Sequence, residues 1–461
     1  MQETGREGAS RASSDHSHRQ HRANLRDGDT AAAHSTLPAA KSLVMSDWDS
    51  LPYHSGFGAH ITSEAIAGAV PPIQNNPQRC AMGLYSEQLS GTAFTCPRSS
   101  NQFAWLFRIL PSAKHTKFQP YEGNPLLVGR FDADAPATPN QCRWDPLVRP
   151  GVDVDFVDGI VTVAGAGDPC SKTGIAVHQY LANRSMARRA FNNADGDLLL
   201  VPQEGALHIT TEFGRMCVRP GEIAVIQRNV RFSVALPPGC DFIRGATLHA
   251  SRRAFLLTYF AGYICETFTG HFQLPDLGPI GANGLAAARH FLVPHAAFEE
   301  VEAAHVIVHK FGGALWMCEQ DHSPFDVVGW HGNYAPYKYD LAAFCVVNTV
   351  SFDHLDPSIF TVLTCPTLEP GVAAVDFVIF PPRWMVAENT FRPPYYHRNC
   401  MSEYMGLIRG SYDAKKGGFV PGGSSLHSCG TPHGPDGKVF DAASQAELKP
   451  VKVPGTDLAF M

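Results

Sequence analysis

Residues 391–434 read FRPPYYHRNCMSEYMGLIRGSYDAKKGGFVPGGSSLHSCGTPHG, and this segment is the most informative part of the chain. Its potential metal ligands are His397, Glu403, His427 and His433. Because successive side chains of a β-strand alternate between its two faces, a strand through residues 397–403 would place His397 and Glu403 on the same face. A second histidine, returned by the Gly- and Pro-rich loop, would complete a set of two imidazoles and one carboxylate. Such a set suits an octahedral iron(II) with open positions for a substrate and dioxygen.

A simpler alternative is an ordinary surface strand, because an isolated His and Glu at this spacing are common by chance. The third histidine, the flexible loop and the surrounding aromatic residues favour a metal site instead. Zinc usually requires a set richer in sulfur or nitrogen. Cys400 would face away from His397 and Glu403 in a regular strand, so it is a poor ligand candidate. These residues alone leave open whether His427 or His433 is the second histidine.

Two long motifs in this segment resemble the homogentisate 1,2-dioxygenase family almost residue for residue. They are PPYYHRNCMSEYMGLIRG at residues 393–410 and GGFVPGGSSLHSCGTPHGPD at residues 417–436. The resemblance begins near Tyr53, continues through residues 83–112 and extends nearly to the C-terminus. It assigns iron(II) to three ligands, His397, Glu403 and His433. It places His427 near the pocket without making it a ligand.

The same resemblance implies roles for two further residues. His354, in TVSFDHLDPSIF, corresponds to the acid/base residue of the family, and Tyr412 and His433 correspond to residues that contact the substrate. Judged alone, a histidine such as His354 is more often a hydrogen-bonded loop residue than a catalyst. An imidazole that titrates near neutrality is nevertheless suited to taking and returning a phenolic proton. Tyr412, judged alone, would be an aromatic residue of a barrel wall.

The implied reaction is the iron(II)-dependent cleavage of homogentisate by dioxygen to 4-maleylacetoacetate, a step of tyrosine and phenylalanine catabolism. The implied assembly is a homohexamer of two stacked trimers. One alternative is a related ring-cleaving dioxygenase that acts on gentisate or another dihydroxyaromatic compound. Another is a non-catalytic cupin-type binding or storage protein. The complete ligand set, together with His354 and Tyr412, argues against this second alternative.

The composition excludes several other classes of function. The 461 residues include 37 Lys and Arg and 43 Asp and Glu, and a net charge of −6 does not favour nucleic-acid binding. No apolar run reaches the length of about 18 residues that a membrane helix requires. The 12 cysteines form no C-x-x-C pair. Without a recognisable signal peptide, they favour reduced thiols in the cytoplasm.

The pattern of the remaining chain predicts a mainly β protein. Short apolar runs between turn signals fill residues 152–232 and are typical of a β-sandwich or barrel. Alternation in residues 103–109 predicts a largely buried strand. The dipeptides Asp195-Gly196 and Pro220-Gly221 predict hairpin turns. We assign residues 49–348 to a large N-terminal β domain. Residues 349–461 are assigned to a C-terminal catalytic domain, which the resemblance identifies as a cupin-like jelly-roll barrel.

Two segments depart from this organisation. Residues 1–48 are polar and rich in Ser, Arg and His, and they predict a disordered tail that cannot bury enough apolar surface to fold. Residues 240–261 interrupt the resemblance to the family. The apolar residues from Ala254 to Cys265 have no evident burial partner in the sequence. We therefore interpret residues 240–261 as an atypical insertion that packs poorly and that arose from a translated intron or a gene-model error.

Overall fold

The structure, a computed structural model, describes residues 47–131, 137–237, 259–278, 284–353, 356–412 and 419–461. The predicted N-terminal tail lies outside these ranges except for its last two residues. Trp48 stacks on His208 with a distance of 4.3 Å between the ring centroids. The part of the insertion from residue 240 to residue 258 also lies outside the described residues.

The described residues form a mainly β structure, as predicted. Its first strands are β1 (Tyr53–Ser55), β2 (Ile61–Glu64), β3 (Tyr85–Ser90), β4 (Phe103–Arg108), β5 (Gln119–Pro120), β6 (Cys142–Trp144), β7 (Ile160–Asp168), β8 (Thr173–Ala182), β9 (Arg189–Asn193), β10 (Asp197–Glu204), β11 (Leu207–Thr211), β12 (Gly214–Val218), β13 (Glu222–Ile226) and β14 (Phe232–Ala235). The later strands are β15 (Phe260–Thr267), β16 (Phe291–Pro294), β17 (His305–Phe311), β18 (Ala314–Gln320), β19 (Val327–Gly332), β20 (Tyr337–Asp340), β21 (Thr361–Pro366), β22 (Ala373–Phe380), β23 (Trp384–Met385), β24 (Glu403–Arg409), β25 (Ser424–His427), β26 (Val451–Lys452) and β27 (Leu458–Phe460).

Helices are few and short in the described ranges. One α-helix, α1, spans Gly437–Ser444. Short 3-10 helices lie at Ala81–Gly83, Ala288–His290, Leu341–Ala343 and Pro357–Phe360. No helix in the part of the chain that the structure describes has the length and apolar character needed to cross a membrane.

Two large sheets contain most of the N-terminal strands. One has eight strands in the order β1-β16-β20-β13-β10-β15-β8-β7, and the other has seven in the order β12-β11-β14-β9-β17-β18-β5. Aromatic rings connect the two: Phe156 lies 5.0 Å from Tyr180 of the first sheet and 6.0 Å from Phe232 of the second. Both strand rings are buried in one shared hydrophobic core, which gives this part of the chain the predicted sandwich organisation.

The two predicted hairpins are wrong, although both turns exist. Asp195-Gly196 joins β9 to β10, and Pro220-Gly221 joins β12 to β13. In each case the two strands belong to different sheets, so each turn carries the chain from one sheet to the other. Turn residues reverse the chain locally. The partner of a strand depends on the side chains that the strand buries. β10 therefore pairs with β13 and β15 and not with β9, which precedes it.

The end of the predicted insertion is part of the core. Phe260 and Ala261 open β15, which lies between β10 and β8 in the eight-stranded sheet. Phe260 is fully buried, and its ring lies 6.2 Å from that of Tyr180. The expectation that the apolar residues of this segment lack burial partners is therefore wrong from Phe260 onward. Phe260 is buried because β15 pairs with β8 and β10, which are distant in the sequence, and the local sequence does not reveal such pairing.

A buried ion network fastens β15 to the seven-stranded sheet. The Lys310 ammonium, on β17, lies 2.8 Å from carboxylate oxygens of both Asp195 and Glu266. Burial would raise the pKa of Glu266, but the charges and hydrogen bonds of Lys310 and His178 outweigh it and lower that pKa to about 2. Glu266 therefore stays ionised at neutral pH and pairs with Lys310 inside the sandwich.

The other face of the eight-stranded sheet packs against the C-terminal part. Because side chains alternate along a strand, Tyr180 points into the sandwich while Gln179 points outward. Gln179 donates from Nε2 to Gly422 O at 3.3 Å and to Ser424 Oγ at 3.2 Å. The Tyr263 hydroxyl lies 3.0 Å from Leu407 O and 2.9 Å from Gly423 O. Two strands of the N-terminal sheet therefore hold the backbone around β24 and β25.

The C-terminal strands form a six-stranded sheet in the order β21-β22-β27-β24-β25-β6. Its edge strand β6 comes from residues 142–144, which lie within the predicted N-terminal domain, and it pairs with β25. At Gly406 in the middle of β24, a Cβ would lie 2.3 Å from the Phe460 ring and 3.1 Å from the Tyr263 ring. Glycine therefore leaves room for the Phe460 ring from the neighbouring strand β27 and for the Tyr263 ring from the eight-stranded sheet.

Replacement of Tyr263 by phenylalanine should destabilise the protein by about 1–3 kcal/mol, because two buried carbonyls lose a hydrogen-bonding partner. Denaturant unfolding of Tyr263→Phe measures this loss. Tyr85→Phe is the matched control, since Tyr85 is half exposed and its substitution should change the free energy of unfolding by less than about 0.5 kcal/mol. Equal stability of the two variants would contradict the proposed role of Tyr263 in holding the C-terminal sheet.

Candidate metal centre

Two backbone pairings bring the predicted ligands together. In the first, β24 pairs with β25 so that Glu403 is opposite His427. In the second, His397 and His433 form an isolated antiparallel bridge and exchange both backbone hydrogen bonds, at 2.9 and 3.0 Å. The expected strand through residues 397–403 is wrong, because β24 begins only at Glu403. The backbone of residues 398–402 is instead a loop, tied to its neighbour by the Gly430 N–H donating to Asn399 O at 2.7 Å.

Three side chains converge at the start of β24. Nε2 of His397 lies 3.1 Å from Oε1 of Glu403, and Nε2 of His433 lies 2.9 Å from Oε2. One ligand atom from each of the three residues lies within 4.8 Å of the others. The Glu403 carboxylate is buried, and the two imidazoles are partly buried. This arrangement is consistent with a metal site of two histidines and one carboxylate.

The second nitrogen of each imidazole is already engaged. Nδ1 of His397 donates to Tyr395 O at 2.6 Å, and Nδ1 of His433 donates to Thr431 O at 2.9 Å. Since a carbonyl oxygen only accepts, each Nδ1 must carry a proton. Hydrogen bonds of this kind fix the tautomer and the orientation of metal-binding histidines. Both Nε2 atoms are thereby directed at the point where the three side chains meet.

The charges of the three-residue cluster suit a bound cation. Burial raises the pKa of Glu403, but hydrogen bonds from His397 and His433 more than offset it and lower that pKa to about 2. The hydrogen bond to Glu403 raises the pKa of His397, against the opposing effect of burial. The Asn399 amide also donates to Oε1 of Glu403. The carboxylate is therefore held ionised, which is the form that binds a metal.

His427, the histidine that the residues alone could not separate from His433, occupies a different position. Its ring is buried and stacks on His433, with 4.2 Å between centroids and 9° between planes. Its Nε2 lies 2.5 Å from the amide nitrogen of Gln141, which belongs to the segment before β6. His427 thus supports the ring of His433 and is not part of the three-residue cluster. No motif in the sequence pointed to Gln141, because it is distant along the chain.

A cavity of about 660 Å³ adjoins the cluster, and His397, Glu403 and Tyr412 all contribute to its wall. Tyr412 is buried, and its ring lies 5.8 Å from Phe380. Arg383, which the sequence did not single out, also lines this space and lies over the Phe360 ring at 5.4 Å. The ring of Tyr412 and the positive charge of Arg383 therefore line the same cavity as His397 and Glu403.

His354, the predicted acid/base residue, lies outside the described residues, so its placement stays a prediction. Asp356, two positions later in the chain, lines the same cavity, and its side chain accepts a hydrogen bond from Ser358 N at 3.0 Å.

The two halves of the chain each match a family model. Residues 52–341 match homogentisate 1,2-dioxygenase N-terminal, and residues 342–461 match homogentisate 1,2-dioxygenase C-terminal. The chain belongs to the homogentisate 1,2-dioxygenase family.

Relatives in this family are close in sequence over most of the chain. Homogentisate 1,2-dioxygenase of Caenorhabditis elegans is 56% identical over 420 residues, which are 90% of this chain and 92% of that protein. The Dictyostelium discoideum protein of the same name is 57% identical over 89% of this chain and 90% of its own length. A cupin 2 conserved barrel domain protein from Leptotrichia buccalis aligns with 66% of this chain and 88% of its own at 9% identity, with a TM-score of 0.26 that is too low to support an argument.

Membership in the homogentisate 1,2-dioxygenase family confirms the prediction of a ring-cleaving dioxygenase. The main prediction is supported over both alternatives, the gentisate-type dioxygenase and the non-catalytic binding protein.

Replacement of His433 should abolish metal binding, whereas replacement of His427 should largely preserve it. The reason is geometric: His433 Nε2 faces Glu403, and His427 Nε2 faces Gln141. Metal content after anaerobic loading, measured by atomic emission for His433→Ala and the control His427→Gln, tests this expectation. Comparable metal loss in both variants would show that the stacked pair acts as one ligand unit.

Metal affinity should fall as the pH is lowered through the raised pKa of His397, which lies above its ordinary 6.5. The protonated imidazole cannot bind a metal, so its proton competes, by up to about tenfold in affinity per pH unit for one proton. Glu403, with a pKa of about 2, stays ionised over the same range and adds no second titration. Competition titrations with a chelator, made at a series of pH values, measure this slope. An affinity independent of pH would exclude His397 as a ligand.

Proposed function

We propose that this protein catalyses the iron(II)-dependent cleavage of the homogentisate ring by dioxygen to 4-maleylacetoacetate, in tyrosine and phenylalanine catabolism. One observation carries the proposal: two imidazole nitrogens and a carboxylate converge at a cavity, in a chain whose two halves both match the dioxygenase family. The donor set fits the metal, since two histidines and one carboxylate leave positions of an octahedral iron(II) open. Bound iron(II) would supply a site at which a phenolate and dioxygen exchange electron density.

The residues of the chain would bind, orient and move protons. His397, Glu403 and His433 would hold the iron, and the carbonyls of Tyr395 and Thr431 would keep both imidazoles in the required tautomer. Holding the reacting groups in one geometry accounts for much of the rate advantage of such a site.

The substrate would lie in the cavity next to the three ligands. Tyr412 and His433 would contact it, and His354 would take the proton of a ring hydroxyl and return it later. Tyr412 already lines the cavity beside Glu403, which supports this role. The positive charge of Arg383 in the same wall suits a substrate with a carboxylate.

We also propose a cytoplasmic location and assembly into a homohexamer of two stacked trimers. The support for the location is that the cysteines in the described ranges are all free thiols. The support for the assembly is membership in the family. The domain assignment, 49–348 and 349–461, is likewise a proposal. It is supported by a sandwich in the first part and a six-stranded sheet that takes five of its strands from the second part and its edge strand β6 from the first.

Oxygen uptake by the purified protein with homogentisate should depend on iron(II), added anaerobically with ascorbate, and should accompany a rise in the near-ultraviolet absorbance of the product. Mutation of a residue that only hydrogen-bonds to a metal ligand typically lowers activity by roughly 10–100-fold. Glu403→Ala removes a ligand itself, so it should reduce the oxygen uptake by more than that. Glu447→Ala is the control, because Glu447 is exposed and forms a surface ion pair with Lys449.

Absence of uptake from folded, iron-loaded wild-type protein would exclude homogentisate as the substrate. Gentisate, assayed under the same conditions, separates the nearest alternative: uptake with gentisate alone would identify that ring as the substrate. Full activity of Glu403→Ala would instead contradict the assignment of the metal centre.

A further inference from the structure

The cavity beside the metal ligands is larger than a substrate with one ring requires. Its volume of about 660 Å³ is within the range of about 300–1,000 Å³ that accommodates drug-sized ligands. Homogentisate has a single ring with two hydroxyls and a short acid side chain. A part of the cavity therefore remains available to a second, smaller molecule.

One part of the cavity is lined by apolar side chains, and we name this part the apolar chamber. Its wall is contributed by β8, β10 and β15 of the N-terminal sheet and by β22 and β27 of the C-terminal sheet: Val177, Leu199, Val201, Cys265, Phe377 and Phe460. Val177 and Leu199 are both direct cross-strand neighbours of Cys265, so these three side chains form one continuous row. Burial raises the pKa of the Cys265 thiol to about 12, which keeps that side chain neutral as well.

The register of the sheet explains why space is left there. In the next row, Gln179, Tyr263 and Val201 are cross-strand neighbours. Gln179 and Tyr263 are long and hydrogen-bond to the backbone of the opposite sheet, so they set the distance between the two sheets. The shorter side chains of the Val177–Cys265–Leu199 row cannot fill a gap of that width.

Most of the charged groups of the cavity are contributed by other segments, and the exception, Asp376, lies on β22 next to Phe377. Arg383 and Asp356 line it together with His397 and Glu403. A hydroquinone acid placed in the apolar chamber would leave its carboxylate and hydroxyls without partners, at a cost of several kcal/mol. The substrate of the proposed function therefore belongs with the charged groups, whereas a small apolar molecule belongs in the chamber.

We propose that the apolar chamber binds dioxygen and supplies it to the metal centre. The proposal rests on the proposed function, which makes dioxygen the second substrate. Dioxygen is small, neutral and a very weak hydrogen-bond acceptor, so its transfer from water to an apolar wall is favourable. Engineered apolar cavities in proteins similarly stay dry and bind xenon or benzene. The chamber lies in the same cavity as Glu403, so bound dioxygen reaches the ligands without passing through solvent.

Xenon is the probe for the chamber, because it is apolar and binds without any reaction. Crystals of the full-length, iron-loaded protein under xenon pressure should show xenon beside Val177 and Leu199. Val177→Phe should displace this xenon and raise the apparent KM for dioxygen about tenfold, the lower limit of what one hydrophobic-pocket contact contributes to discrimination. The KM for homogentisate should remain within about twofold, since the charged part of the cavity is unchanged.

Val152→Phe is the matched control, because it makes the same substitution at an exposed position that does not line the cavity, so it should leave the KM for dioxygen unchanged. Val201→Phe is a second filling variant and replaces Val177→Phe if circular dichroism shows that the latter is unfolded. Displaced xenon with an unchanged KM for dioxygen would overturn the proposal, as would absence of xenon from the chamber of active wild-type protein. Wild-type protein without oxygen uptake would overturn the proposed function and this proposal with it, even with xenon bound.

Discussion

The pairing of β24 with β25 is the constraint on which the candidate site depends. It places Glu403 opposite His427, and the chain then turns so that His433 pairs with His397. Two antiparallel pairings thus bring together ligands that are up to 36 positions apart in the sequence. Backbone hydrogen bonds determine the positions of Cα atoms within a narrow range. The metal cluster therefore depends on the register of a small sheet more than on any side-chain contact.

That small sheet is itself held by the large one. The Tyr263 hydroxyl and the Gln179 amide reach backbone groups of the loop before β25 and of β24, and Gly406 permits the close contact. The same spacing that these long side chains impose leaves a cavity beside the shorter ones. Support for the metal ligands and space for small molecules are therefore two consequences of one sheet-to-sheet packing arrangement.

The sequence analysis identified the correct residues of the site, although the strand geometry that it assumed for them was wrong. Strand alternation correctly suggested that His397 and Glu403 meet, yet the segment between them is a loop. Asn399, which lies in that loop, also contacts Glu403, to which it donates a hydrogen bond. Similarly, the turn dipeptides at 195–196 and 220–221 were identified correctly but join strands of different sheets. Local patterns specify local geometry, whereas the partner of each strand depends on distant residues.

The sequence by itself determined the mainly β class, the buried strand at β4, the family and a short set of possible metal ligands. These properties are encoded in residue types, in the period of two along strands and in long specific motifs. Residue types and spacing left His427 and His433 equivalent, and only the resemblance to the family separated them. The tertiary structure supplies the physical reason, because His433 faces Glu403 whereas His427 stacks behind it against Gln141. It also decided the burial of Phe260, the ion network around Lys310 and the apolar wall at Val177. Each of these depends on contacts between segments far apart in the chain, and no local pattern records which distant segments will meet.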